Sequence, residues 1–345
     1  MALHVDLKIN SSYPIELLNK AAVLAQSGRP REALDSYVAA LARAETLGLL
    51  QRMHTLPPGL RQQLGNAIAV VQQARAEHLS RALAHLRERH AAGEFTRVDR
   101  CVRIFLGREP LPKGHNMQRP TFMKFPDLPA QAWFERSQFP WLSDIEHHTH
   151  EIRLELQQVL RSGQGLQPFV EIPKDHQAAA YWQDLNYSPS WNAFFFYRDG
   201  RRYADNCHRC PLTSGLLEKL PLCHVGEHSP EVFFSVLKPG AHIPRHTGVI
   251  NTRLVVHLPL VIPSECGIRV GGELRAWKEG ECLVFDDTFE HEAWNRSDQT
   301  RVVLIFDIWN PYLTEIEKQA MSIVVEEIGH FNQLHGQRDQ AYASD

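Results

Sequence analysis

Two histidines and an arginine in the C-terminal half of the chain form the most chemically specific pattern in the sequence. His246 ends a turn-rich stretch, Lys238-Pro239-Gly240 followed by Pro244-Arg245-His246-Thr247-Gly248. His291 lies in Asp286-Asp287-Thr288-Phe289-Glu290-His291-Glu292, directly after an apolar run, and Arg301 opens the next run. Between them stands Asn251-Thr252-Arg253-Leu254-Val255-Val256-His257. Neutral imidazoles bind Fe(II) well, and a metal with few protein ligands keeps positions open for a bidentate 2-oxo acid and dioxygen. The far carboxylate of such an acid needs a planar partner that stays charged when half buried, which is Arg rather than Lys. Either histidine alone reads as an ordinary turn or strand-end residue. Their conjunction with Arg301 points to a metal and a carboxylate ligand.

Neighbouring polar residues compete for attention. Asp286, Asp287, Glu290 and Glu292 crowd His291 and are expected to orient its ring or face solvent rather than ligate. His242 would pair with His246 on a helix, but Pro239, Gly240 and Pro244 exclude a helix there, so His242 is expected outside the ligand set. Cys207-His208-Arg209-Cys210 with Cys223-His224 offers the donors of a zinc site or a redox pair at irregular spacing. Unpaired thiols in a loop are the third reading, and all three stay open. His147, His148, His150 and Glu151 fall on a predicted helix packed through Ile145, Ile152, Leu154 and Leu156, and read as its solvated face. Trp182, Trp191 and Phe194, Phe195 and Phe196 are expected in the core or a pocket wall.

The elements that position these residues are β-rich. From about Phe169 the chain shows short runs of Val, Ile, Phe and Tyr between Pro/Gly turns, at 191–198, 232–237, 254–262, 281–285 and 302–309. Many short strands without alternating helices predict an antiparallel sandwich or barrel, whose alternate residues share one cavity. Residues 14–105 read as helical, with Ala21, Leu24, Gly28, Ala33, Tyr37 and Ala40 at the spacing of one tetratricopeptide repeat. A lone repeat leaves a face uncovered, so it is expected to pack on neighbouring helices or on a protein partner. The prolines of 106–140 predict a linker wrapping onto the next domain. Helices are expected at 142–160 and 313–334. The fold class is therefore α+β: a helical, tetratricopeptide-like region over 1–105, the linker, and a catalytic domain over 141–345 with its core at 230–312.

Residues 230–312 resemble the aspartyl/asparaginyl β-hydroxylase family of Fe(II)/2-oxoglutarate oxygenases. The pieces that carry the resemblance are KPGAHIPRHTG, NTRLVVHLPLVIP, LVFDDTFEHEAWN and DIWNP. Weaker similarity reaches back to about residue 126 through PDLPAQAWF and PLTSGLLEKLP. The resemblance implies a double-stranded β-helix (a jelly roll, cupin-like) with His246 and His291 as iron ligands. It implies that Arg301 pairs with the distal carboxylate of 2-oxoglutarate, with Ser235 a hydroxyl donor and His257 a further contact to it. Arg253 matches a position on the side of the substrate carboxylate. The family lacks the carboxylate of the usual facial triad, and Gly248 stands where most related oxygenases carry Asp or Glu. Val255 is a departure, replacing a second Arg of the animal enzyme's anionic pocket.

The implied reaction is hydroxylation of an unactivated C–H bond, at the β-carbon of an aspartyl or asparaginyl unit, with dioxygen as co-reactant. A free or carrier-bound amino acid, a lipid acyl chain, or an inert interaction protein are the other readings. A formal net charge of -3 without a basic block gives no electrostatic case for nucleic acid or an anionic membrane. No run approaches the length of a membrane span, and the first residues lack the pattern of a signal peptide. Six scattered cysteines do not form a disulfide framework, so a reducing cytoplasm is expected.

Overall fold

The computed structural model of the chain describes residues 3–173 and 176–336. They divide into two compact units: one takes in the described residues up to His90 and those of 323–336, and the other those of 91–322.

The first unit holds helices α1 (Leu3–Gln26), α2 (Pro30–Thr46) and α3 (Pro58–Arg87). Pro30 and Pro58 occupy first-turn positions, where a missing N–H costs nothing. Gly28 turns the chain between α1 and α2 with φ +72°, a conformation other residues resist. Small residues let these helices approach closely. Ala40 and Ala44 of α2 are fully buried in one cluster with Leu18, Leu64 and Ala67.

The boundary differs from the one expected at 105. Helix α4 (Thr96–Phe105) belongs to the second unit because its partners lie there. Arg97 Nε donates to Glu317 Oε1 at 2.7 Å, Arg100 pairs with Asp127 at 2.7 Å, and the Cys101 thiol donates to the Lys124 carbonyl at 3.6 Å. Helices α5 (Leu142–His147) and α6 (Thr149–Ser162) follow, then α7 (Ala204–Arg209) and α8 (Pro211–Leu217). Ile152, Leu156 and Val159 form the buried stripe of α6, while Leu154, between them, is exposed. The step of four and three residues selects that stripe and leaves Leu154 out.

The strands are β1 (Trp133–Phe134), β2 (Gln167–Pro168), β3 (Trp191–Arg198), β4 (Arg201–Arg202), β5 (Val232–Leu237), β6 (His242–His246), β7 (Arg253–Val261), β8 (Cys266–Val270), β9 (Glu273–Arg275), β10 (Leu283–Phe285), β11 (His291–Asn295) and β12 (Arg301–Trp309). The larger sheet runs β1-β10-β7-β12-β5-β3-β2, with β4 pairing β3; the smaller runs β6-β11-β8-β9. All their pairings are antiparallel, as a double-stranded β-helix requires. The fold is α+β, as the sequence implies.

Alternation along the strands separates two cores. On β7, Leu254, Val256, Leu258 and Leu260 join Ile152, Leu156 and Val159 in an outer layer. Val255, on the other face, joins Trp133, Trp191, Trp277, Phe285 and Val303 in the barrel interior. A slip of one residue would exchange the two faces, so the interior residues are fixed by register. The proline-rich segment straps the barrel mouth: Arg119 N donates to Thr288 O at 2.8 Å, Thr121 N to Gly248 O at 3.1 Å, and Glu290 N to Met117 O at 2.8 Å. Helix α9 (Glu315–Leu334) follows β12. Among the described residues, no helix is long and apolar enough to cross a membrane.

Candidate functional site

His246 and His291 are directly opposed in the β6–β11 pair, and their ring centroids lie 4.0 Å apart. Each ring is held the same way. His246 Nδ1 bonds the Pro244 carbonyl at 2.8 Å, and His291 Nδ1 bonds the Phe289 carbonyl at 2.9 Å. A carbonyl only accepts, so each Nδ1 carries the proton and each Nε2 keeps its lone pair, the tautomer a metal ligand needs. Burial, reinforced by His291, holds His246 well below the ordinary imidazole range; burial brings His291 down to about 4. Both rings are therefore neutral at physiological pH. Trp182, its ring 5.3 Å from that of His246, walls the pair on one side.

The acidic residues around His291 do something other than orient it. Glu292 pairs with Arg269 at 3.0 Å and with His242 at 3.0 Å on the exposed side of the small sheet. Asp286 accepts from Thr288 N and Gln118 Nε2, both at 2.9 Å. The orienting is done by backbone carbonyls, and His242 lies outside the pair because a register shift between His291 and Ala293 sets it opposite Trp294.

Arg301 is 1% exposed, and no carboxylate among the described residues pairs with it. Its Nη1 donates to Ser235 Oγ at 3.2 Å, its guanidinium carbon lies 4.9 Å from the centre of the Trp277 ring, and its Nε has no partner. Burial lowers its pKa to about 10. An uncompensated buried cation costs several kcal/mol, and a bound carboxylate would remove that cost. Ser235 Oγ also accepts from Trp191 Nε1 at 3.0 Å. With both acceptor positions in use, its own O–H is left to donate. His257 Nδ1 accepts from Trp277 Nε1 at 3.3 Å, which leaves Nε2–H as a second donor. Burial, with Arg301 and His291 nearby, keeps His257 neutral.

A third group lies on the same strands. Arg253 pairs with Asp307 at 2.6 Å and Asp287 at 3.6 Å, all three side chains largely buried. A substrate carboxylate would have to displace one of these acids to reach Arg253. A Cβ built on Gly248 would stand 2.2 Å from the Asp287 carboxyl carbon. The missing triad carboxylate thus has no room, because Asp287 occupies it. Val255 takes its place in the apolar interior with no charge to offer.

The arrangement fits Fe(II) and a 2-oxo acid: two neutral imidazoles with free Nε2 atoms, and a buried, unpaired guanidinium flanked by two hydrogen-bond donors. Trp277 and Asp307 are the residues sequence reasoning missed. Asp307 could have been found from alternation, since 301, 303, 305 and 307 share one face of β12. Trp277 lies in a loop, where no periodicity marks it.

Comparison with known proteins agrees with this geometry. Residues 146–311 match the family described as Aspartyl/Asparaginyl beta-hydroxylase. The match takes in most of the β strands, from α6 to the end of β12. The human "Aspartyl/asparaginyl beta-hydroxylase" is 34% identical over 201 residues, 57% of this chain and 25% of that protein. The "Ornithine lipid ester-linked acyl 2-hydroxylase" of Rhizobium tropici is 34% identical over 192 residues, 55% of this chain and 64% of that protein. Human "Aspartate beta-hydroxylase domain-containing protein 2" is 32% identical over 215 residues, 61% of this chain and 55% of that one. The chain thus spans between a quarter and just under two thirds of the length of these relatives.

Two further clusters in the β domain stay outside this site. Cys207, Cys210 and Cys223 are buried free thiols, and burial pushes Cys210 and Cys223 up to about 12. Neutral thiols in a core neither ligate metal nor exchange disulfides readily. His148 is half exposed at the start of α6, on the solvated face its sequence implies.

Proposed function

We propose that the β domain is an Fe(II)- and 2-oxoglutarate-dependent oxygenase that hydroxylates an unactivated C–H bond. The observation that carries this is Arg301: a buried guanidinium without a carboxylate partner among the described residues, joined through His257 to His291 of the neutral, backbone-oriented histidine pair. His246 and His291 would hold the iron. Arg301 and the Ser235 hydroxyl would hold the far carboxylate of the cosubstrate, and His257 Nε2–H would donate to it. When bound, iron and the 2-oxo acid supply dioxygen activation and the insertion of one oxygen atom into a C–H bond. The protein orients the cosubstrate, and the apolar interior of Trp133, Trp191, Phe285 and Val303 excludes water.

The first substrate reading is the β-carbon of an aspartyl or asparaginyl unit in a peptide or protein, with Arg253 meeting the substrate carboxylate. The helical unit, whose Gly28 turn and buried alanines suit a tetratricopeptide-like pair, would bind the protein partner. A reducing cytoplasm belongs to the same reading, and the free thiols agree with it. A second reading, an apolar acyl chain, is favoured by one observation: Val255 is neutral and Arg253 already faces two carboxylates. The relative from Rhizobium tropici is named for such a substrate.

The test is succinate release from anaerobically purified protein given Fe(II), 2-oxoglutarate and then oxygen. Aspartyl peptides, free amino acids and acyl-chain lipids would be supplied in turn, with mass spectrometry for a gain of one oxygen atom. No succinate above the protein-free rate with any of them would overturn the oxygenase reading.

A further inference from the structure

The helical unit carries a cluster of metal-ligating groups unrelated to the oxygenase site. We propose that His78, Glu327 and His330 form a second metal site for a borderline divalent cation such as Zn2+. His78 comes from α3; Glu327 and His330 come from α9, at the three-residue spacing that places both on one helix face. Glu327 Oε2 lies 2.6 Å from His78 Nε2 and 3.5 Å from His330 Nδ1. One ligand atom from each residue falls within 4.8 Å of the other two. Around a tetrahedral ion with bonds of about 2.1 Å, ligand atoms stand roughly 3.4 Å apart, so small side-chain movements suffice to admit the cation.

The donor set is two imidazoles and one carboxylate, which suits zinc and leaves a fourth position for water. The rings are held in place: His78 packs edge-on against Phe331 at 5.7 Å, and the two imidazoles meet at 77° with centroids 6.1 Å apart. Phe331 is itself buried with Val38 and Val71. The site is open to an incoming ion, since the side chain of His330 is 57% exposed and that of Glu327 31%. As bare ion pairs these half-exposed contacts contribute little, about 0–1 kcal/mol. A bound cation would turn them into a cross-link between α3 and α9, which are far apart in sequence.

Equilibrium dialysis against Zn2+ tests this, using the full chain with His246→Ala and His291→Ala so that the oxygenase site contributes nothing. One zinc per chain is expected, with a higher thermal midpoint when it is bound. Adding His330→Ala, at an exposed position that folding does not depend on, should weaken zinc binding at least tenfold, and Glu327→Gln should do the same. Circular dichroism would confirm that both variants stay helical. Failure of the parent to retain zinc, or a loss smaller than tenfold in His330→Ala, would overturn the proposal.

Discussion

The Asp287 carboxylate fills the space that a side chain at Gly248 would need, 2.2 Å from where its Cβ would stand. The same carboxylate pairs with Arg253, so position 248, the Asp287 carboxylate and the guanidinium are mechanically linked. Gly248→Ala must push Asp287 away from Arg253 and should destabilise the protein by about 1–3 kcal/mol, as overpacking does. Gly248→Asp should not bind iron more tightly, because its carboxylate would collide with Asp287 rather than reach the metal. Thermal unfolding and Fe(II) titration check both. A stable variant with tightened iron binding would contradict the account.

Arg301 links stability and cosubstrate binding with opposite signs. Arg301→Met removes a buried cation without a counter-ion and should raise the thermal midpoint of the ligand-free protein. The same change should raise the 2-oxoglutarate requirement about a hundredfold or more, the scale of a lost bidentate charge pair. Differential scanning fluorimetry and succinate release at varied cosubstrate concentrations measure the two effects. An unchanged requirement would reassign the anchor.

Asp286 gives a dependence on pH. Burial, with Asp287 adding to it, raises its carboxyl to about 7 from a usual 3.8. The native state then keeps a proton that the unfolded chain loses, so stability present at acid pH is lost as pH rises through about 7. Asp286→Asn cannot lose a proton, and its stability relative to the parent should rise by about 3 kcal/mol between pH 5 and pH 8. Urea unfolding of both proteins at the two pH values gives the difference. Parallel profiles would show that Asp286 is charged in the fold.

Much of the barrel was legible because its strands alternate or run apolar between turn residues. The stretches expected at 191–198, 232–237 and 302–309 are β3, β5 and β12 to within a residue. The two histidines and Arg301 fall at strand ends: His246 closes β6, and His291 and Arg301 open β11 and β12. Less was visible where pairing is not local. Nothing near His246 or His291 shows that Pro244 and Phe289 carbonyls hold their rings, since the expectation fell on the acidic side chains. Helix α4 reads as part of the N-terminal helices by composition, and only Glu317, Asp127 and Lys124 reveal where it packs.

Trp277 was invisible for that reason and makes a separate test. Its indole N–H fixes the His257 tautomer while its ring underlies Arg301. Trp277→Phe keeps the ring and removes the donor, at about 1 kcal/mol for one hydrogen bond. A rise of roughly fivefold in the 2-oxoglutarate KM, with kcat little changed, is expected. No rise would mean that His257 keeps its orientation without the indole.

Cosubstrate-dependent iron binding tests the central claim most directly. Under anaerobic conditions, Fe(II) and 2-oxoglutarate added together should produce a visible charge-transfer absorption that neither gives alone, reporting a 2-oxo acid chelated to iron. The account predicts this band in the parent protein and its loss in the His246→Ala/His291→Ala double variant, whatever metal the helical unit retains. A band that persists in the double variant, or never forms in the parent, would contradict it.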